Sequence, residues 1–123
     1  MHEIRLDAEK NRLYIVLKTV IKGEGETIHN RIVEAVSNLQ KGFTIIADIS
    51  EFIPSEPSEV YYVDIILKLL AEAGLYKAVR VTGRPVKRRV ESVTENGYLL
   101  EVAETLEDAE RYLEVPLPKE ETD

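Results

Sequence analysis

The spacing of hydrophobic and polar residues changes between strand-like and helix-like several times along the chain. Residues 3–7 alternate between polar and apolar with Ile4 and Leu6 on one face, and a mostly apolar strand at 13–20 returns after a turn at 8–11. Together they predict an antiparallel hairpin in which Asn11 takes a left-handed conformation. A flexible link at 22–25 follows. From Thr27 the apolar positions recur at helical spacing up to Leu39, and Gly42 ends this first helix.

The segment from Gly42 to Ser58 is the centre of this pattern. Phe43 to Ala47 is an almost unbroken apolar run, typical of a strand that is covered on both faces of a parallel sheet. Asp48 and Ser50 come directly after it, and a second helix over 60–73 follows, with Pro57 suited to its first turn. Ligands of open α/β sheets bind at such strand-to-helix connections, so we expect the function to lie near residues 48–58.

The rest of the chain continues the alternation. It predicts a strand at 77–82, a third helix that begins at Arg84–Pro85 and ends at Asn96–Gly97, a strand at 98–103 and a short helix after a capping box at 105–108. The element order is therefore ββαβαβαβα. This order predicts an α/β fold with a mostly parallel five-stranded sheet and an antiparallel N-terminal strand. We expect a single domain over 1–113 and a disordered acidic tail over 114–123.

The second predicted helix is apolar around more than half of its circumference. Val63, Ile66, Leu67 and Leu70 are expected to face the sheet. Tyr62, Ile65 and Leu69 form a second flank, either packed on a neighbouring helix or exposed as the contact face of a homodimer, with Tyr61 adding area.

Composition and charge exclude several classes of protein. The 123 residues contain no cysteine, which removes disulfides and thiolate chemistry. A net charge of −7 disfavours nucleic-acid binding, and no apolar run is long enough to span a bilayer. With no targeting segment at the N-terminus, we expect a cytoplasmic protein without membrane contact. The two histidines lack metal-ligand spacing, and we expect no cofactor.

Polar residues at the carboxyl ends of two neighbouring strands are the candidate site. Asp48 and Ser50 follow the central strand, and Gly83 and Arg84 follow the next one. Arg84 and the N-terminus of the second helix are suited to an anion, whereas the alternative is that Asp48 pairs with Arg84 or caps a turn. Ser55 and Ser58 cap the second helix in one interpretation and accept a phosphate in the other.

Basic residues are concentrated in one segment of this acidic protein. Between 77 and 89 there are six and no acid: Lys77, Arg80, Arg84, Lys87, Arg88 and Arg89. The segment either docks an acidic partner, a phosphate-bearing ligand or a membrane surface, or forms a solvated helix face.

Three local patterns, in this order and spacing, resemble STAS domains, the fold of bacterial anti-sigma-factor antagonists and of the cytoplasmic ends of sulfate transporters. They are Asp48-Ile49-Ser50, then Val79 to Gly83 followed by Pro85 to Val90, and then Asn96-Gly97-Tyr98 leading to Thr105 to Ala109. The resemblance covers nearly the whole chain and is greatest to small stand-alone bacterial proteins. It implies a regulatory module that binds another protein.

The phosphorylated serine of the antagonists corresponds here to Pro57, which has no hydroxyl. We therefore expect no modification at that position, and Ser58 or Ser55 are the residues that can replace it.

Two functions follow from these observations. The first is a non-enzymatic regulatory or protein-interaction module that acts through residues 48–58 and the second helix. The alternative is a carrier or sensor of a small anionic or apolar molecule at the same edge of the sheet. An apolar cavity under the second helix would favour the carrier, and a closed surface would favour the module.

Overall fold

The computed structural model describes residues 1–53, 57–88 and 92–115, with the backbone alone described for 57–61. The elements in chain order are β1 (His2–Asp7), β2 (Arg12–Leu17), α1 (Glu24–Val36), β3 (Thr44–Asp48), α2 (Pro57–Glu72), β4 (Lys77–Val81), β5 (Ser92–Val93), β6 (Leu99–Ala103) and α3 (Leu106–Glu114). The class is α/β, as predicted. Ser55, Arg89, Val90 and the tail beyond Val115 lie outside the described residues, as do the side chains of Ser58 and Tyr61.

The strands form one mixed sheet in the order β1-β2-β3-β4-β6-β5. Strands β2, β3, β4 and β6 are parallel neighbours, and β1 pairs antiparallel with β2 at one edge. The predicted parallel order and N-terminal hairpin are therefore confirmed, and Asn11 has the expected positive φ of 53°. The sheet has six strands, however, and not the five that the sequence pattern predicts.

The predicted third helix is the main error of the sequence interpretation. Residues 84–88 are not helical, and Ser92–Val93 form β5, which pairs antiparallel with β6. Asn96–Gly97 belongs to the turn of this hairpin, where the backbone N–H of Thr94 donates to the carbonyl of Tyr98 and Gly97 has φ 94°. The physical reason is that Asn-Gly next to β-branched residues favours a hairpin turn at least as strongly as a helix end.

Two helices cover one face of the sheet and one covers the other. Successive side chains of β2 point to opposite faces of the sheet. Leu13 and Ile15 belong to the core cluster under α1 and α2, whereas Tyr14 belongs to a second cluster with Tyr112 of α3. Because the chain from β4 reaches β6 through β5 at the sheet edge, no described helix lies between α2 and that edge. This leaves the region beside α2 open.

The helix ends follow the predicted capping in one case and differ in the other. Thr105 accepts a hydrogen bond from the backbone N–H of Asp108 at 3.1 Å, which confirms Thr105 as the N-cap of α3, whereas the Asp108 carboxylate accepts a hydrogen bond from Arg111 at 2.9 Å. The predicted flexible link at 22–25 is wrong, because α1 begins at Glu24 directly after Gly23. Glu24 lies near the amino group of Met1 and the ring of His2, at 2.9 and 2.7 Å, and these contacts fix the start of the helix.

Candidate ligand site

The predicted polar site at the end of β3 is a turn held by its own side chains. Asp48 Oδ1 accepts hydrogen bonds from the hydroxyl and the backbone N–H of Ser50, at 2.6 and 3.0 Å. A Cβ built on Gly83 would lie 3.0 Å from that of Ser50, so the two connections approach closely. Arg84 is exposed and, among the described residues, forms no ion pair with Asp48. The structure thus brings Asp48, Ser50 and Gly83 together, but it does not add Arg84 to them.

The basic segment divides into residues with different surroundings. Lys77 and Arg88 both contact the carboxylate of Glu101, at 2.6 and 2.8 Å, and the Arg88 guanidinium lies over the ring of Tyr112. Burial acts to raise the pKa of Glu101, but hydrogen bonds from Arg88 and Lys77 outweigh it and hold that pKa below its ordinary value. These two cations therefore stabilise the α3 side of the sheet. Arg80, Arg84 and Lys87 are exposed.

The second flank of α2 faces α1. The ring of Tyr62 lies 6.5 Å from that of His29 on α1, and Leu69 packs against the main core cluster. Ile65 is half-buried and is not part of that cluster. Of the two alternatives for this flank, these contacts favour packing on a neighbouring helix.

Between α2 and the sheet lies an apolar cavity of about 300 Å³. Its floor includes Ile45 and Ala47 of β3 and Ala78 of β4, and α1 contributes Ile28 and Ile32. The wall formed by α2 consists of the four residues predicted to face the sheet: Val63, Ile66, Leu67 and Leu70. Leu70 is buried, Ile66 and Leu67 are half-buried, and Val63 is exposed to solvent.

Among the described residues that line this cavity, one has a charged side chain. Arg80 of β4 projects from the same side of the sheet as Ala78, with Ala47 and Val102 as its neighbours in the adjacent strands. It is exposed, so it lies where the cavity opens to solvent. The cavity therefore has an apolar interior and a cationic rim.

The described residues bring no three metal-ligating side chains together, and none of the described helices has the length and apolarity to cross a membrane. Comparison of the chain with protein-family models, with curated proteins and with solved structures finds no match. The resemblance to STAS domains stays a prediction.

Sequence reasoning expected polar residues at the turn and left open whether an apolar cavity lies under the second helix. The signals were present in the wide apolar arc of α2 and in alanines at two strand positions that face it. They were not decisive, because the predicted third helix would have covered the region that is open.

Proposed function

We propose that the protein is a carrier or sensor that binds a small apolar molecule in the cavity between α2 and the sheet. The observation that carries this proposal is the cavity itself. Its volume of about 300 Å³ is at the lower end of ligand pockets and about twice that of an engineered apolar cavity that holds benzene. A molecule of about a dozen non-hydrogen atoms is the size that this comparison supports.

The energetic argument is that an unfilled apolar cavity costs stability. Lining atoms that face a void lose dispersion contacts, and core substitutions show a cost that rises with cavity volume. A ligand that fills the space restores those contacts, so binding and stability are coupled. In this proposal the protein performs no reaction on the molecule that it holds.

The first test fills the cavity with a side chain. We expect Ala47→Leu to abolish the binding of decanol, measured by isothermal titration calorimetry, while the melting temperature stays equal or rises because the new methyl groups occupy empty space. Ala8→Leu, in the exposed turn between β1 and β2, is the matched control and should bind as the wild type does.

Two results would contradict the proposal. One is decanol binding that is undiminished in Ala47→Leu, which places the ligand elsewhere. The other is absence of binding in the wild type combined with a destabilised Ala47→Leu variant, which shows a packed core without a usable cavity. The latter outcome would favour the interaction module acting through residues 48–58 and α2.

A further inference from the structure

On the sheet face that α1 and α2 cover, the four parallel strands contain one charged residue among apolar ones. The side chains on this face are Leu13, Ile15, Leu17, Ile45, Ala47, Ala78, Arg80, Leu100 and Val102, and all but Arg80 are apolar. Arg80 lies near the carboxyl end of β4 and is exposed, and its guanidinium brings five hydrogen-bond donors and a permanent charge to an otherwise apolar face.

The two buried cations of the parallel strands have carboxylate partners in the structure. Arg12 lies 2.6 Å from Glu110, and Lys77 lies 2.6 Å from Glu101, both on the α3 side. The backbone of Arg80 pairs with β3 and β6, but its guanidinium forms no hydrogen bond or ion pair with any described residue. Its guanidinium is therefore available at the rim of the cavity.

We infer that the ligand is an amphipathic monocarboxylate whose apolar chain fills the cavity and whose carboxylate pairs with Arg80. This inference rests on the proposed function. A planar guanidinium matches a carboxylate through two parallel hydrogen bonds, which fixes the orientation of the ligand with its chain inward. A single cation at the rim suits one negative charge, and the described lining residues provide no second cation for a dianionic phosphate group.

The overall charge of the protein opposes this ligand only weakly. The net charge of −7 repels anions at long range, but at physiological ionic strength this repulsion is screened beyond about 8 Å. The contact at Arg80 acts over a distance much shorter than this screening length, so salt weakens it less than it weakens the long-range repulsion. Decanoate affinity is therefore expected to fall only modestly as salt is raised.

The experiment compares decanoate with decanol on the full chain, below the concentrations at which either aggregates and at neutral pH, where the acid is ionised. We expect the wild type to bind decanoate about tenfold more tightly than decanol, since a charge-assisted pair adds at least that factor. Arg80→Met keeps the apolar stem and removes the charge, so the preference for decanoate over decanol should be lost. Arg84→Met removes a nearby exposed cation that does not line the cavity and should leave both affinities as they are.

The outcomes separate the two proposals. If neither compound binds, the proposed function fails. If both bind the wild type equally, or if the preference for decanoate survives in Arg80→Met, the cavity binds ligands but the assignment of the headgroup to Arg80 is overturned. Circular dichroism of each variant shows whether a lost affinity reflects loss of fold.

Discussion

At the scale of single residues, the strongest electrostatic contact is the buried group of Lys77, Glu101 and Arg88. The side chains of Lys77 and Glu101 are only 4% and 3% exposed, so each charge depends on the other for the interactions that water would provide. Removing one partner leaves the other charge in a poorly solvated position. The pair therefore makes the fold sensitive to the loss of either residue.

We expect Glu101→Gln to lower the free energy of unfolding by about 3–5 kcal/mol, because it replaces the buried carboxylate beside the Lys77 ammonium and the Arg88 guanidinium with a neutral amide. Combining it with Lys77→Met should recover much of that loss. Urea denaturation of the two single variants and the double variant measures the coupling. Glu51→Gln, which removes an exposed contact with Lys18, is the control and should change stability by less than about 1 kcal/mol. Equal effects of Glu101→Gln and Glu51→Gln would contradict the buried pair.

A second residue-scale prediction concerns pH. Burial acts to raise the pKa of Glu24, but hydrogen bonds from His2, the amino group of Met1 and the backbone N–H of Ile21 outweigh it and lower the pKa from 4.5 to about 2. A carboxyl group whose pKa is depressed in the folded state adds stability above its unfolded pKa. That stability is lost as pH falls from about 4.5 through about 2.

Glu24→Gln should therefore cost about 2–3 kcal/mol of unfolding free energy at pH 7. The difference from the wild type should shrink steadily below pH about 4.5 and approach zero near pH 2. Chemical denaturation across this pH range measures it. Glu26→Gln is the matched control, since Glu26 is an exposed acid in the same helical turn. A cost for Glu24→Gln that does not change with pH would argue against the depressed pKa.

At the scale of elements, the crossing from β4 to β6 decides the shape of the site. Val86, Val90 and Val93 have the spacing of a buried helix face, and this spacing led to a helix prediction. In the structure Val86 and Val93 are instead 40% and 71% exposed. Periodicity could not distinguish the alternatives, because three β-branched residues at helical spacing are compatible with an irregular segment followed by an edge strand. As a consequence, no described helix covers the part of the sheet between α2 and the β5 edge.

Other elements were predictable because local and tertiary preferences agree there. The apolar run before Asp48 suited a buried central strand, and the threonine at 105 suited a helix cap, and both interpretations hold in the structure. The ion pairs could not be found in this way. Arg12 and Glu110, or Lys77 and Glu101, are distant in sequence, and only the register of β2, β4 and β6 with α3 brings them together.

At the scale of the whole molecule, α2 contributes residues to the cavity and also to the contact face of the predicted homodimer. The cavity uses the side of the helix that faces the sheet, whereas the predicted homodimer uses the flank of Tyr62, Ile65 and Leu69. The ring of Tyr62 lies near that of His29 on α1, and Leu69 packs on the core cluster. Of these three residues, Ile65 is therefore the one for which the described residues show neither contact. The dimer stays a prediction, and its contact face would have to be centred on Ile65.

Charge substitutions on this flank distinguish core from interface. We expect Leu69→Lys to lower the free energy of unfolding by about 2–4 kcal/mol, because it places a charge where Leu69 packs against apolar side chains. Ile65→Glu should leave the fold intact, since Ile65 is only half-buried. Glu72→Gln changes the net charge by the same single unit as Leu69→Lys at an exposed position of the same helix and is the control. Urea denaturation measures stability, and sedimentation equilibrium measures mass. If Leu69→Lys keeps wild-type stability and halves the mass, the flank is an interface rather than core, and the contacts between α1 and α2 do not bury it.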